Sequence, residues 1–485
     1  MLRTLFSSFL IGLGLITRLA HAQTVELIPE PVLPLPSAEQ IRWHQMEMNA
    51  FIHFSLTTYT AGEWGYGDES PDLFNPSHFD SRQWMEVLCE AGFKGVILTA
   101  KHHDGFCLWP TAYSDHSIKK SPWMNGKGDV VGAFVKACRE AGLKPGIYLS
   151  PWDRNHAEYG RPAYLDYYRN QLEELISQYG PFFEIWIDGA NGGEGYYGGA
   201  RETRWIDRKS YYNWPSVIEY VRHINPEALI FSDAGPDIRW VGNERGEAAE
   251  TNWNLLAPDT LYPGKAGIES LLQTGSETGN RWIPAECDVS IRPGWFYHSA
   301  EDSLVESPEE LFAIYLRSVG RGGVMLLNIP PGPDGRIHDQ DIKALRGFRK
   351  ILDSVFQHNL APEAVINASN TRLNSGLFGP GHLADEQFDT WWATDDGVIK
   401  AELEFRFRQP LSPHFIVLQE YIALGQRIKS FSIQALVNKK WSDLYKGTTV
   451  GYKRIVALPP VTSDRFRLVI VDARACPILS EVGIY

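Results

Sequence analysis

The sequence predicts a (β/α)8-like barrel followed by a C-terminal antiparallel β-sandwich. Eight short apolar runs alternate with amphipathic stretches through most of the 485 residues, which is the pattern of repeated strand–helix units. The runs are almost continuously apolar, as expected for parallel strands that are buried on both faces. Beyond about residue 360 only short strand patterns with turn residues remain, and these are typical of a sandwich.

Each barrel element can be placed along the chain. The helices are expected where apolar residues recur at helical spacing, usually with a glycine just after the last one; they are 81–91, 130–141, 163–179, 214–224 and 308–321. The helices near the fifth and sixth strands are weak, so we expect an approximate barrel. A doubly wound open sheet is the alternative, but no glycine-rich phosphate motif follows any strand. The eight strands are expected at 50–54, 95–99, 144–150, 183–187, 228–232, 249–252, 282–287 and 323–329.

The alternation of strand and helix patterns ends near residue 340. One more helix is expected at 339–358, after which no helix-length pattern occurs. The predicted domains are therefore a catalytic barrel of residues 23–358 and a β-sandwich of residues 359–485. Strands of the sandwich are expected at 400–406, 414–420, 430–437, 448–456 and 465–471.

The first 22 residues have the order of a secretory signal peptide. Arg3 supplies the positive charge, an apolar run covers 5–16, and Ala20-His21-Ala22 has the small-x-small pattern of a cleavage site. The run is too short for a membrane span, and no other stretch reaches about 18 apolar residues. We therefore expect an exported protein, periplasmic or extracellular, without a membrane span.

Charge and cysteine content argue against some classes of partner and cofactor. The chain has 46 Lys and Arg against 59 Asp and Glu, a net charge of −13, and no basic cluster of the kind that nucleic acids require. Its five cysteines are widely spaced and form no C-x-x-C, so neither a disulfide framework nor a zinc or redox motif is indicated. Aromatic residues make up 12%, which fits a large core and also stacking surfaces for a sugar. Composition does not indicate the oligomeric state.

Polar and aromatic residues stand at the carboxyl ends of most predicted strands, where barrel enzymes hold their active sites. Carboxylates there can act as acids, bases or nucleophiles. His53, His102 and His103 raise the alternative of a metal site, but adjacent residues on a strand face opposite sides, so no metal and no cofactor is predicted. The strand-end residues include His53, His102, His103, Tyr148, Trp152, Asp188, Asp233, Glu250, Glu286, Asp288 and Asn328.

These strand ends also carry a resemblance to a known family. Residues 100–109, Ala-Lys-His-His-Asp-Gly-Phe-Cys-Leu-Trp, resemble the best-known block of the α-L-fucosidases of glycoside hydrolase family 29. The resemblance covers about residues 40–335 and implies a retaining exo-fucosidase with a barrel and a sandwich. Three further blocks agree in order, and they are Phe51-Ile52-His53-Phe54 with Glu63-Trp64-Gly65, Gly146-Ile147-Tyr148-Leu149-Ser150, and Trp186-Ile187-Asp188-Gly189-Ala190.

The resemblance implies roles for particular residues. Asp188 is the expected nucleophile, which forms a glycosyl-enzyme ester. A second carboxyl group must protonate the leaving oxygen and then activate water. Residues 235–244 resemble the acid/base segment of the subfamily that prefers α-1,3 and α-1,4 linkages, so Glu244 is predicted, with Glu247 and Glu250 as rivals. The predicted sugar-binding residues are His53, Glu63, Trp64, His102, His103, Tyr148, Trp186, Arg292 and Trp295.

The resemblance also bears on the substrate. Gly65 follows Glu63-Trp64 where the broad-specificity branch of the family has tyrosine, which favours a fucosylated, branched Lewis-type glycan over aryl fucosides. The predicted function is therefore a secreted α-1,3/1,4-fucosidase that works by double displacement. Two alternatives stay open, a catalytically silent glycan-binding protein on the same scaffold and a metal-dependent hydrolase.

Overall fold

The structure is a computed structural model that describes residues 27–60, 62–189, 195–197 and 200–485. The predicted signal peptide, residues 1–22, lies outside the described residues. Within the described part of the chain, no helix is both long enough and apolar enough to cross a bilayer.

The described chain before residue 360 alternates strands and helices. The helices are α1 (Ala38–Met46), α2 (Ser81–Ala91), α3 (Val130–Glu140), α4 (Pro162–Tyr179), α5 (Trp214–Ile224), α6 (Glu269–Thr274), α7 (Pro308–Ser318) and α8 (Asp339–Val355). The strands are β1 (Met48–Ile52), β2 (Gly95–Lys101), β3 (Lys144–Leu149), β4 (Glu184–Trp186), β5 (Gly195–Tyr197), β6 (Glu202–Arg204), β7 (Leu229–Ser232), β8 (Ile238–Trp240), β9 (Leu255–Leu256), β10 (Arg281–Trp282), β11 (Ala285–Ser290) and β12 (Val324–Asn328).

Eight of these strands close into a parallel barrel in the order β1-β12-β11-β8-β7-β4-β3-β2, which confirms the predicted fold class. Most barrel residues are fully buried, because the interior is filled with side chains and the helices cover the outside. The helix signals are also confirmed. In α2, for example, the Asp80 side chain accepts from the amides of Arg82 and Gln83, and Gly92 ends the helix with φ of 94°.

The predicted sixth strand, 249–252, is wrong. The sixth barrel strand is β8, which follows β7 with no helix between them. Residues 249–252 lie against the C-terminal sheets instead, where the Asn252 amide donates to Thr449 Oγ1 at 2.9 Å. The pattern misleads because β8 is only three residues long and contains Arg239 and Trp240.

The predicted seventh strand, 282–287, combines two elements. Arg281–Trp282 pairs antiparallel with β9 outside the barrel, and the barrel strand itself is Ala285–Ser290. The barrel is thus least regular between β7 and β11, where α6 has only six residues. This agrees with the weak helix signals there.

The C-terminal residues form two antiparallel sheets that enclose their own apolar core. The sheet orders are β13-β15-β20-β17-β18 and β14-β21-β16-β19. Each of the five predicted strands overlaps an observed one, and the short or half-exposed β13, β14 and β18 and the terminal β21 were missed. The strands are β13 (Val365–Ala368), β14 (Trp392–Ala393), β15 (Ala401–Leu411), β16 (Phe415–Glu420), β17 (Ile428–Val437), β18 (Lys440–Gly447), β19 (Arg454–Ala457), β20 (Ser463–Ala473) and β21 (Ile478–Ile484).

Candidate active site

A cavity of about 590 Å3 opens at the carboxyl ends of the barrel strands. Ten of the eleven predicted site residues line it, and the exception is Arg292. The ten are His53, Glu63, Trp64, His102, His103, Tyr148, Trp186, Asp188, Glu244 and Trp295. The topology explains this convergence, because parallel strands deliver their carboxyl ends to one rim.

Asp188 lies at the mouth of the barrel, two residues after β4. The Tyr148 hydroxyl donates to Asp188 Oδ2 at 2.9 Å. His103 Nε2 lies 3.6 Å from the same oxygen. One oxygen of the carboxylate is thus held by a phenol and also lies near an imidazole.

The hydrogen bonds of His103 assign its tautomer. Ser150 Oγ donates to the carbonyl of Trp152 at 2.7 Å, so it accepts from His103 Nδ1, which is 2.8 Å away. Burial is the main cause that lowers the pKa of His103 to about 3, and the nearby His53 and Arg154 act in the same direction. His103 is therefore neutral, and its Nε2 presents an acceptor towards the cavity beside Asp188.

His53 and His102 are buried and neutral in the same way. Asn328 Nδ2 donates to Ser290 Oγ and to the Trp295 carbonyl, so Asn328 Oδ1 accepts from His53 Nδ1 at 2.8 Å. Burial lowers the pKa of His53 to about 3 and that of His102 well below its usual value. The described residues contain no group of three His, Cys, Asp or Glu side chains arranged to hold a metal ion. These imidazoles offer ring nitrogens that suit the hydroxyl groups of a sugar.

Glu244 is exposed and lines the same cavity. Partial burial of its carboxyl raises its pKa, the indole of Trp295 lowers it by donating to Oε2 at 3.4 Å, and the charge of Glu63 raises it. A raised pKa favours the protonated form that a general acid needs.

The rival glutamates lie outside the cavity. Glu250 forms ion pairs with Arg321, at 2.7 Å, and with Arg454 of the sandwich. Glu247 pairs with Arg321 at 3.4 Å. The interpretation of Glu250 as part of a barrel strand is wrong, because its carboxylate joins the barrel to the sandwich.

Glu63 lines the cavity but both of its oxygens bind protein groups. Oε2 accepts from the Trp295 amide at 2.7 Å, and Oε1 lies 3.0 Å from His298 Nε2. A side chain at Gly294 would collide with this carboxylate. Glu63 therefore anchors the loop after β11, which carries Trp295.

The prediction that Arg292 contacts the sugar is not supported by its position. Its side chain is fully buried, and its guanidinium binds Asp341 of α8 at 2.9 Å and Asp302 at 2.9 Å. The guanidinium also lies 4.5 Å from the centre of the Tyr297 ring. The side chain points out of the barrel, because these two carboxylates neutralise it there, and it braces the loop from behind.

Sequence reasoning did not assign several other residues that line the cavity. Asp288 accepts from the Trp240 indole at 2.8 Å, and burial raises its pKa well above the usual value. Asp233 accepts from the Gly264 amide at 2.8 Å, and burial raises its pKa to about 6. Asp233 directly follows β7 and Asp288 lies within β11, so both are visible from the strand pattern, whereas Arg208 and Lys265 lie in loops without any pattern.

Asp188 and Glu244 place two carboxyl groups in one cavity at the barrel mouth, and neutral histidines that can accept hydrogen bonds from sugar hydroxyls line the same cavity. This combination is typical of a glycoside hydrolase. The sequence model of the α-L-fucosidases matches residues 29–354. The chain therefore belongs to the α-L-fucosidases, glycoside hydrolase family 29, and has α-L-fucosidase activity on a fucosylated substrate.

Individual relatives agree over nearly the whole chain. Alpha-L-fucosidase 1 of Arabidopsis thaliana is 42% identical over 94% of this chain and 88% of its own length. A glycoside hydrolase 29 family member from an unknown rumen bacterium superposes with a TM-score of 0.84 at 44% identity, over 94% of this chain and 78% of that one. A Ruminococcus gnavus fucosidase in complex with fucose gives a TM-score of 0.84 at 30% identity, over 94% and 96%.

The environment of Glu244 generates a testable pH effect. Replacing Trp295 by phenylalanine (Trp295→Phe) removes the indole donor that stabilises the Glu244 carboxylate, so the pKa of Glu244 should rise. If Glu244 must be protonated, the basic limb of the kcat/KM–pH profile should move to higher pH. Trp152→Phe is the matched control, since Trp152 contacts Trp64 and His103 instead. A basic limb that stays in place or moves to lower pH contradicts the assignment.

Proposed function

We propose that this α-L-fucosidase is exported and removes terminal α-1,3- or α-1,4-linked fucose from branched, Lewis-type glycans by double displacement. The observation that carries the proposal is that Asp188 and Glu244 line the same cavity, while Glu247 and Glu250 are held in ion pairs outside it. The signal-like residues 1–22 support export.

In the first step, the Asp188 carboxylate attacks the anomeric carbon of fucose and forms an ester with it. The bond from that carbon to the glycosidic oxygen breaks, and Glu244 delivers its proton to the departing oxygen. Tyr148 keeps the attacking carboxylate oriented through its 2.9 Å hydrogen bond. The ester has the β configuration, because the nucleophile approaches opposite to the leaving group.

In the second step, Glu244 is a carboxylate and acts as the base. It takes a proton from water, the water oxygen attacks the anomeric carbon, and the Asp188 ester bond breaks. Two inversions leave the released fucose in the α configuration. Glu244 thereby regains the proton that it needs for the next cycle.

The fucose ring fits the side of the cavity that contains the histidines. The neutral ring nitrogens of His53 and His103 can accept hydrogen bonds from ring hydroxyls. Trp64 and Trp186 supply aromatic faces for the apolar parts of a 6-deoxy sugar. The Ruminococcus gnavus relative in complex with fucose supports a fucose pocket in this fold.

Three further polar side chains line the same cavity. Asp233, Arg208 and Lys265 suit the hydroxyl-rich remainder of a branched glycan more than an apolar aglycone. A side chain at Gly65 would lie 2.7 Å from the Asp104 Cβ, so the glycine that distinguishes this chain from the broad-specificity branch is required by packing.

Removal of the nucleophile gives the first test. Asp188→Gly should lower kcat/KM for a fucoside at least about 10³-fold, because no group can then form the ester. Added azide should restore turnover and give β-fucosyl azide, identified by nuclear magnetic resonance. Asp233→Gly, a change at another cavity carboxyl, is the control and should give no azide product. Undiminished activity of Asp188→Gly would refute the assignment.

The acid is tested by the leaving group. Glu244→Ala should reduce kcat/KM about 10²- to 10⁴-fold for a natural fucosylated oligosaccharide, but much less for an aryl fucoside whose phenolate departs without a proton. The same comparison with Glu247→Ala and Glu250→Ala should show no such selectivity. Equal losses on both substrates in Glu244→Ala would assign the proton to another group.

Linkage preference is tested with defined oligosaccharides. We expect release of fucose from α-1,3- and α-1,4-linked branched glycans at a kcat/KM well above that for α-1,2- or α-1,6-linked ones. Fucose is quantified by chromatography, with Asp188→Gly as the inactive control. Efficient α-1,2 or α-1,6 cleavage contradicts the subfamily assignment, and binding without any release would favour the silent binding protein.

A further inference from the structure

We propose that Glu286, joined to Glu184 by a single shared proton beneath the cavity, positions the Trp186 indole that forms the floor of the sugar site. This inference rests on the proposed function, since it concerns how the Asp188 cavity is shaped. Glu286 is a positioning residue in this proposal, because it acts through Trp186 and lies below the cavity that the sugar enters.

The two carboxyls lie inside the barrel with no exposure to solvent. Glu184 is on β4 and Glu286 is on β11, and both are 0% exposed. Glu184 and Trp186 alternate along β4 and point inward. Asp188 follows two residues later and lines the cavity, so the three side chains form a column from the interior to the mouth. The column thus places a carboxyl, an indole and the proposed nucleophile one above the other.

Each carboxyl accepts one indole hydrogen bond. Trp186 Nε1 donates to Glu286 Oε2 at 2.9 Å, and Trp43 Nε1 donates to Glu184 Oε2 at 3.0 Å. The remaining oxygens, Glu184 Oε1 and Glu286 Oε1, are buried and receive no hydrogen bond from any other donor. The two carboxyls interact with each other inside the barrel, and a proton placed between these two oxygens would give each of them a hydrogen bond.

The surroundings favour retention of that proton. Among the described residues, neither carboxyl forms an ion pair with a lysine, arginine or histidine, and the charged groups that act on the pair are themselves carboxylates. Asp237 acts on Glu184, and Asp288 is close to Glu286 on the same strand. Burial raises the pKa of both carboxyls. The charge of Glu184 raises the pKa of Glu286 further, whereas the interaction with Glu286 favours the ionised form of Glu184. The shared proton therefore belongs on Glu286.

The hydrogen bond to Glu286 fixes the orientation of the Trp186 indole within its plane, which packing alone does not fix. The Trp186 ring is stacked on Phe231 with centroids 4.0 Å apart and planes at 9°, and it also contacts Phe51 and Tyr148. These contacts hold the plane of the ring but do not select which edge points down. The indole N–H bonded to Glu286 selects that edge, and with it the face and edge that line the cavity.

Two substitutions of Glu286 test this positioning role, one that keeps its hydrogen bonds and one that removes them. In Glu286→Gln the amide oxygen can still accept from Trp186, and the amide nitrogen can donate to an ionised Glu184. In Glu286→Leu the indole loses its acceptor and Glu184 loses its partner. We therefore expect KM for a fucoside, and the inhibition constant for fucose, to rise about 5- to 100-fold in Glu286→Leu. Glu286→Gln should stay within about threefold of the wild type.

The kinetic arm needs a control for general destabilisation. Glu420 is a buried carboxyl of the sandwich, where it accepts from the amides of Arg427 and Ile428. Glu420→Leu should lower the thermal midpoint but leave KM and fucose inhibition unchanged. If Glu286→Leu changes KM no more than Glu420→Leu does, or if Glu286→Gln is impaired as much as Glu286→Leu, Glu286 does not position Trp186.

An infrared measurement tests the shared proton directly and does not depend on catalysis. The infrared difference spectrum of the wild type minus Glu286→Gln, at neutral pH, should contain the carbonyl band of a protonated carboxylic acid, and Glu184→Gln should remove the same band. A spectrum without that band overturns the shared proton. If the wild type releases fucose from no substrate, the proposed function fails, while the infrared band and fucose binding still decide this inference.

Discussion

A closed barrel of parallel strands forces every second side chain of each strand into an interior that water does not reach. On β4 this constraint turns Glu184 and Trp186 inward, and Asp188, two residues after the strand, stands at the level where the barrel opens. The strand below thus fixes the height and direction of the proposed nucleophile. The Asp188 carboxylate therefore faces the cavity above the carboxyl ends of the strands.

Burial has opposite effects on the two kinds of titratable group in this cavity, and both effects serve one reaction. Desolvation lowers the pKa of His53 and His103 to about 3, so they stay neutral and can accept from hydroxyl groups. The same physical cause raises the pKa of Glu244 and Asp288. A site that ought to hold a neutral sugar therefore keeps few full charges, and its specificity rests on oriented acceptors and donors.

The sequence could predict the elements with strong local signals. The helix at 81–91 matches because its apolar period, Asp80 cap and Gly92 stop agree. The place of Asp188 in the cavity matches because the residue follows a buried strand, whereas its role as nucleophile is implied by the family resemblance and stays a prediction. The sixth strand was missed because β8 is too short to show a period, and Arg292 was misplaced because the carboxylates that bind it, Asp302 and Asp341, come from distant segments. Contacts between residues far apart in the chain, such as Trp186 and Glu286, cannot be predicted from local sequence patterns.

The side of the site that contains Glu244, the proposed acid/base, depends on loops, in contrast with the position of Asp188. Glu63 binds the amide of Trp295, and the indole of Trp295 in turn donates to Glu244. Arg292 fixes the same loop from behind through Asp341 of α8. Asp188 lies two residues after a barrel strand, whereas Glu244 lies in the loop after β8 and is contacted by Trp295 of the loop after β11. The separation of the two carboxyls therefore depends on these two loops. Differences between relatives in the position of the acid are then expected, whereas the position of the nucleophile is fixed by the barrel itself.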